Sequence, residues 1–82
     1  MVTTGKSSLC TKRVDVTTSG VFANPTGEDC VLYLGTGGDV NMKLKGETVS
    51  TVTKNMPQGI NLVNVSEITP TGTTATDMQL WF

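Results

Sequence analysis

The feature that most limits what this chain can become is the spacing of its apolar residues between positions 31 and 82. They fall in short runs, each cut off by Gly, Pro, Thr, Asn or Asp, and no run keeps a 3.6-residue period over three turns. Val40, Met42 and Leu44 alternate with Asn41, Lys43 and Lys45. Met78, Leu80 and Phe82 alternate with Asp77, Gln79 and Trp81, up to the last residue. A period of two places one set of side chains on a core and the other in solvent, which is the pattern of a half-buried strand. Threonine supplies fifteen of the 82 residues. It is stiff at χ1 and suits the exposed face of a sheet. The fold class that follows is all-β, a small antiparallel β-sandwich or partly closed barrel of about six to seven short strands.

The segments can be placed one by one. Val14 and Val16 share a face in residues 13–17, and Val21-Phe22-Ala23 resumes after Ser19-Gly20. Asn24-Pro25-Thr26-Gly27-Glu28-Asp29 is a turn cluster. Cys30-Val31-Leu32-Tyr33-Leu34 is apolar throughout, which a strand tolerates only in the middle of a sandwich or beneath another subunit. Gly35-Thr36-Gly37-Gly38-Asp39 predicts a tight turn with positive φ. Gly46-Glu47 turns residues 40–45 into residues 48–53, where Val49 and Val52 lie on opposite faces, so that strand is an edge or carries a bulge. Met56-Pro57-Gln58-Gly59 ends it. In residues 60–68, Ile60 and Leu62 oppose Val63 and Val65 in parity, and Ile68 switches again. One strand can bury them together only with a bulge near 61–62 and a second near 66–67. Thr69-Pro70-Thr71-Gly72-Thr73-Thr74 is a turn, and residues 75–82 form the last strand.

The length allows one domain, read as residues 13–82, behind an N-terminal arm of residues 1–12 that is flexible or extended. A core this small supplies about 3–5 kcal/mol and is usually supplemented by cross-links or partner subunits. Cys10 and Cys30 allow one disulfide at most, or two reduced thiols. Six basic and seven acidic residues give a net charge of −1, too balanced for an electrostatic nucleic-acid binder. No run approaches the roughly 20 apolar residues that span a bilayer, and the first ten residues carry no basic-hydrophobic leader. The expectation is synthesis in a cytoplasm, with neither nucleic acid nor membrane as partner.

There is no histidine, so neither a Ser/His/Asp nor a Cys/His nucleophile can be assembled. Cys10 lacks an imidazole base, and the carboxylates lie singly in turns. The glycines at 35–38 lack the Lys-Ser/Thr end of a phosphate loop. No catalytic residue, metal ligand or cofactor is assigned. Two aromatic residues stand out instead. Trp81 falls on the face opposite Met78 and Leu80, where it is costly unless covered, and Tyr33 lies in the doubly apolar strand; both are candidates for a subunit interface. Lys6, Lys12 and Arg13 form a weak basic cluster suited to an acidic shell surface or simply to solvent.

The block Leu32-Tyr33-Leu34-Gly35-Thr36-Gly37-Gly38-Asp39-Val40 resembles the LYVGTxGDV centre of the head spike base proteins of tailed phages and gene transfer agents. Asn55-Met56-Pro57-Gln58-Gly59 is similar to that family's NVPxG turn. Val63-Asn64-Val65-Ser66-Glu67-Ile68 followed by Thr71-Gly72-Thr73-Thr74-Ala75-Thr76-Asp77 is similar to its VxVxxV and TGTTAT ending. The resemblance covers residues 30–82 in the family's order, while the first thirty residues match poorly. The family's arginine-rich strand is here Val63-Asn64-Val65-Ser66-Glu67, with two positive charges lost. The resemblance implies a non-enzymatic virion structural protein on the capsid surface, a spike base, vertex or decoration protein. Its implied partners are copies of itself in a trimer or pentamer, the major capsid protein, and a spike or fibre protein, and the resemblance implies synthesis in the host cytoplasm. The alternative from another class is a carbohydrate- or receptor-binding β-module of a phage fibre, against which stands a total of only four aromatic residues. A third is a small inhibitor or toxin-like domain stapled by its two cysteines.

Overall fold

A computed structural model of the chain describes residues 9–82. It is an all-β sandwich of eight strands: β1 (Arg13–Asp15), β2 (Phe22–Ala23), β3 (Val31–Thr36), β4 (Gly38–Leu44), β5 (Thr51–Met56), β6 (Gly59–Asn61), β7 (Val65–Thr69) and β8 (Thr76–Trp81). They form two antiparallel four-stranded sheets, ordered β1-β8-β3-β6 and β2-β7-β4-β5, and neither closes into a barrel. The alternation read from residues 40–45 and 75–82 places Val40, Met42, Met78, Leu80 and Phe82 in one core with Leu32, Leu34, Val65 and Ile68. Val14, Val16 and Phe22 pack against it. Thr11 and Lys12 donate main-chain bonds to the carbonyl of Phe82, so the first-strand ladder begins before Arg13. Of the N-terminal arm, residues 1–8 lie outside the described residues.

The run at 60–68 explains the extra strand. Rather than one strand with two bulges, it is β6 in the first sheet, a crossing at residues 62–64, and β7 in the second. The parity conflict near Asn61–Leu62 is therefore resolved by a change of sheet, not by a bulge. The second expected bulge is present. Lys43 pairs with Glu67 and Leu44 with Val65, leaving Ser66 as the additional residue. That insertion is what lets Val65 and Ile68, three apart, both face the core. β5 is an edge strand, and its register against β4 shifts between Gly38 and Val40. Three residue steps of β5 there span two of β4, with Asn55 in the left-handed region at φ 56°.

The glycines at 35–38 correct another expectation. None of Gly35, Gly37 and Gly38 adopts positive φ; the segment carries β3 into β4 across the two sheets. Glycine is required there for space. A Cβ on Gly35 would lie 2.5 Å from Cβ of Asp77, and one on Gly37 2.6 Å from the carbonyl oxygen of Met56. The Asn24 turn matches its sequence: the Asn24 side-chain oxygen accepts from the amides of Thr26 and Gly27, and Gly27 sits at φ 69°. Cys10 and Cys30 are both free thiols. Burial, the largest influence, raises the Cys30 pKa.

Candidate functional site

Because β8 and β3 are neighbours, the residues that alternation turns away from the core meet on one surface. Gln79 lies opposite Tyr33, Trp81 opposite both Val31 and Arg13, and Asp15 opposite Gln79; on the far side of β3, Ile60 lies opposite Tyr33. The rings of Tyr33 and Trp81 stack with centroids 5.0 Å apart and planes inclined by 10°. This pairing answers the cost of a Trp on an outer face: each ring covers part of the other. Val31 is only 7% exposed although it stands outside the core cluster. Its place opposite Trp81 accounts for the second apolar face of the run at residues 30–34.

Polar groups on this face are held in a row. The indole N–H of Trp81 donates to Oε1 of Gln79 at 2.9 Å, and Nε2 of Gln79 donates to Oδ1 of Asp15 at 2.9 Å. Towards β6 the surface turns apolar, with Ile60 54% exposed and Leu62, just beyond the strand, 70% exposed. In the opposite direction Tyr33 borders a groove of about 940 Å³. Its walls come from the segment after β1 and from the connection between β7 and β8, and its side chains include Asp15, Asp77, Gln79 and five threonines. Asp77 stands at φ 55°, a conformation that Asp and Asn tolerate better than most residues. Trp81 borders a second, smaller cleft with Cys10, Thr11, Lys12 and Arg13.

Of the five candidate interface residues, Arg13, Tyr33 and Trp81 come together on this face. Lys12 lies at its margin, paired with Glu28 at 3.3 Å and 5.8 Å from the centre of the Phe82 ring. Lys6 lies outside the described residues. Sequence reasoning passed over Asp15, Ile60 and Gln79, and set Asp77 aside as a solvated turn carboxylate. The shared parity of Asp77, Gln79 and Trp81 was visible, but which strands flank β8 was not. Among the described residues no group of three or more Cys, Asp or Glu side chains is placed to hold a metal ion, and no helix is long and apolar enough to cross a membrane. No family model matches the chain, and no curated protein or solved structure matches it.

Proposed function

We propose that the chain is a structural protein of a phage virion, seated on the capsid surface as a spike base, vertex or decoration protein. It works as a homo-oligomer, a trimer or pentamer, that contacts the major capsid protein and carries a spike or fibre. The observation that supports this most is the outer face of the first sheet. Tyr33, Trp81, Ile60 and Leu62 present aromatic and apolar surface there, and aromatic residues are enriched at subunit contacts. Such a patch beside an edge strand suits a heterologous contact, the kind that closes into a ring around a symmetry axis. The resemblance of residues 30–82 to the spike base family gives this surface its setting. The chemistry we propose is assembly rather than catalysis: the chain has no histidine, and among the described residues no base is paired with either thiol.

The test is co-sedimentation of the protein with undecorated capsids, full length and lacking residues 1–10. The cut stops there because Thr11 and Lys12 bond to Phe82. The expected outcome is that the full chain pellets with capsids and the shortened chain stays folded but binds more weakly. Equal binding by both takes the arm out of the mechanism, and binding by neither removes the capsid-surface assignment.

A further inference from the structure

The groove beside Tyr33 has a composition that selects a class of ligand. Its volume of about 940 Å³ is within the range of small-molecule sites. Two carboxylates, Asp15 and Asp77, line it, and among the described residues no Lys or Arg does. An anionic ligand would enter against two like charges with no cation to offset them, so phosphates, nucleic acid and acidic sugars are disfavoured.

The polar groups are divided between those already engaged and those left over. The hydroxyls of Thr73 and Thr74 are committed to the fold, the first donating to the carbonyl of Thr69 and the second accepting from the amide of Asp39. Thr17, Thr18, Thr76, the Tyr33 hydroxyl and the Asp77 carboxylate carry no hydrogen bond among the described residues. Asp15 has one oxygen held by Gln79, itself fixed by Trp81, so its second oxygen is presented by an ordered side chain. The Tyr33 ring is ordered in the same way. Trp81 stacks on it, and the two rings border different cavities, Tyr33 the large groove and Trp81 the small cleft.

We propose that this groove binds a neutral saccharide. Acceptor-only carboxylates are the natural partners of vicinal hydroxyl donors, and the threonine and tyrosine hydroxyls can donate or accept as the ligand requires. The ring of Tyr33 offers a flat apolar surface for the C–H face of a pyranose. Both Tyr33 and Asp15 are held before the ligand arrives, which lowers the ordering cost of binding. Four aromatic residues are few for a sugar-binding module, but what matters is placement: Tyr33 borders the groove, and Trp81 stacks on it from outside the groove.

The experiment is a titration of the full chain, followed by amide NMR shifts and by emission of the single tryptophan, Trp81. The probes are glucose, galactose, mannose and N-acetylglucosamine, with glucuronic acid and N-acetylneuraminic acid as anionic controls. At least one neutral sugar is expected to shift the amides of Thr17, Gly35 and Asp77 with a Kd on the order of 1 mM. The acidic sugars should bind roughly tenfold more weakly or not at all. Asp77→Asn keeps a residue that tolerates positive φ and should weaken binding by roughly tenfold with melting temperature and oligomeric mass unchanged. Absence of groove shifts with every neutral sugar overturns the proposal, as does equal binding of the acidic ones or undiminished binding by Asp77→Asn. A changed oligomeric mass in Asp77→Asn without any sugar response overturns it in favour of a subunit contact. No capsid enters the assay, so its result is independent of the virion assignment.

Discussion

Asp39 shows how one side chain can define a junction. Its Oδ1 accepts the amide of Asn55 at 3.0 Å, its Oδ2 faces Lys54 at 3.4 Å, and its carbonyl accepts from Thr74 and Ala75. The carboxylate thus holds the bulged end of β5 while the main chain holds the entry to β8. The Asn55 amide, with smaller help from Lys54, lowers the Asp39 pKa below its ordinary 3.8. A depressed folded-state pKa stabilises the protein fully above the unfolded value and loses that contribution as pH falls through the folded value. Asp39→Asn should therefore reduce the drop in melting temperature as pH falls from above 3.8 through the depressed folded value, because one ionisation no longer couples to folding. An unchanged drop would place the acid sensitivity in other carboxylates.

Among the elements, β8 carries the most. It is flanked by β1 and β3, its inner residues Met78 and Leu80 are core, and Phe82 just beyond it is 3% exposed. Phe82→Ala should cost about 3–5 kcal/mol, which denaturant titration would read as a lower midpoint with an unchanged slope. Removing Trp81 and Phe82 together should abolish folding or assembly, and a soluble, assembled product would contradict the placement of β8. The strand was legible because strict alternation in residues 77–82 has one solution, although Ala75, also buried, breaks the period beside Asp77 at φ 55°. Residues 60–68 were only half legible. Parity located the two irregular points, but a bulge and a passage to the other sheet disrupt periodicity in the same way, and only the partners of Ile60 and Ile68 distinguish them. The glycines at 35–38 were misread for a related reason: composition signals that a side chain is forbidden, whereas the cause, Asp77 or Met56 lying against them, comes from distant sequence. The candidate face was visible through Tyr33 and Trp81, and the groove was not, since its walls meet only after β1 and β8 pair.

At the scale of the whole molecule, the two outward-facing features sit on different sides of Tyr33. The apolar surface of Ile60 and Leu62 lies towards β6, and the polar groove lies towards β1 and β8. A subunit contact centred on Ile60 and Leu62 leaves the Asp15 and Asp77 side of the groove open, with Tyr33 shared between the two features. Light scattering at micromolar concentration should report an oligomer, and Ile60→Asp should yield a folded monomer, because Ile60 is half exposed and outside the core. A wild-type chain that is already monomeric, and is monomeric on the particle, would remove the assembly assignment. The sheet order has one more consequence. β1 and β3 do not pair with each other, since β8 lies between them. Among the described strands the first sheet has no partial form that includes both: until β8 arrives, β3 has the short β6 beside it and β1 has no partner strand. The second sheet, β2-β7-β4-β5, has no such dependence. Its strands can pair while β8 is still unplaced, so β8 closes the sandwich against a surface that already exists. Closure over so long a stretch of chain belongs to the slow class of topologies, and during that wait Leu32, Leu34 and Val40 are open to solvent and to any other chain that offers a strand.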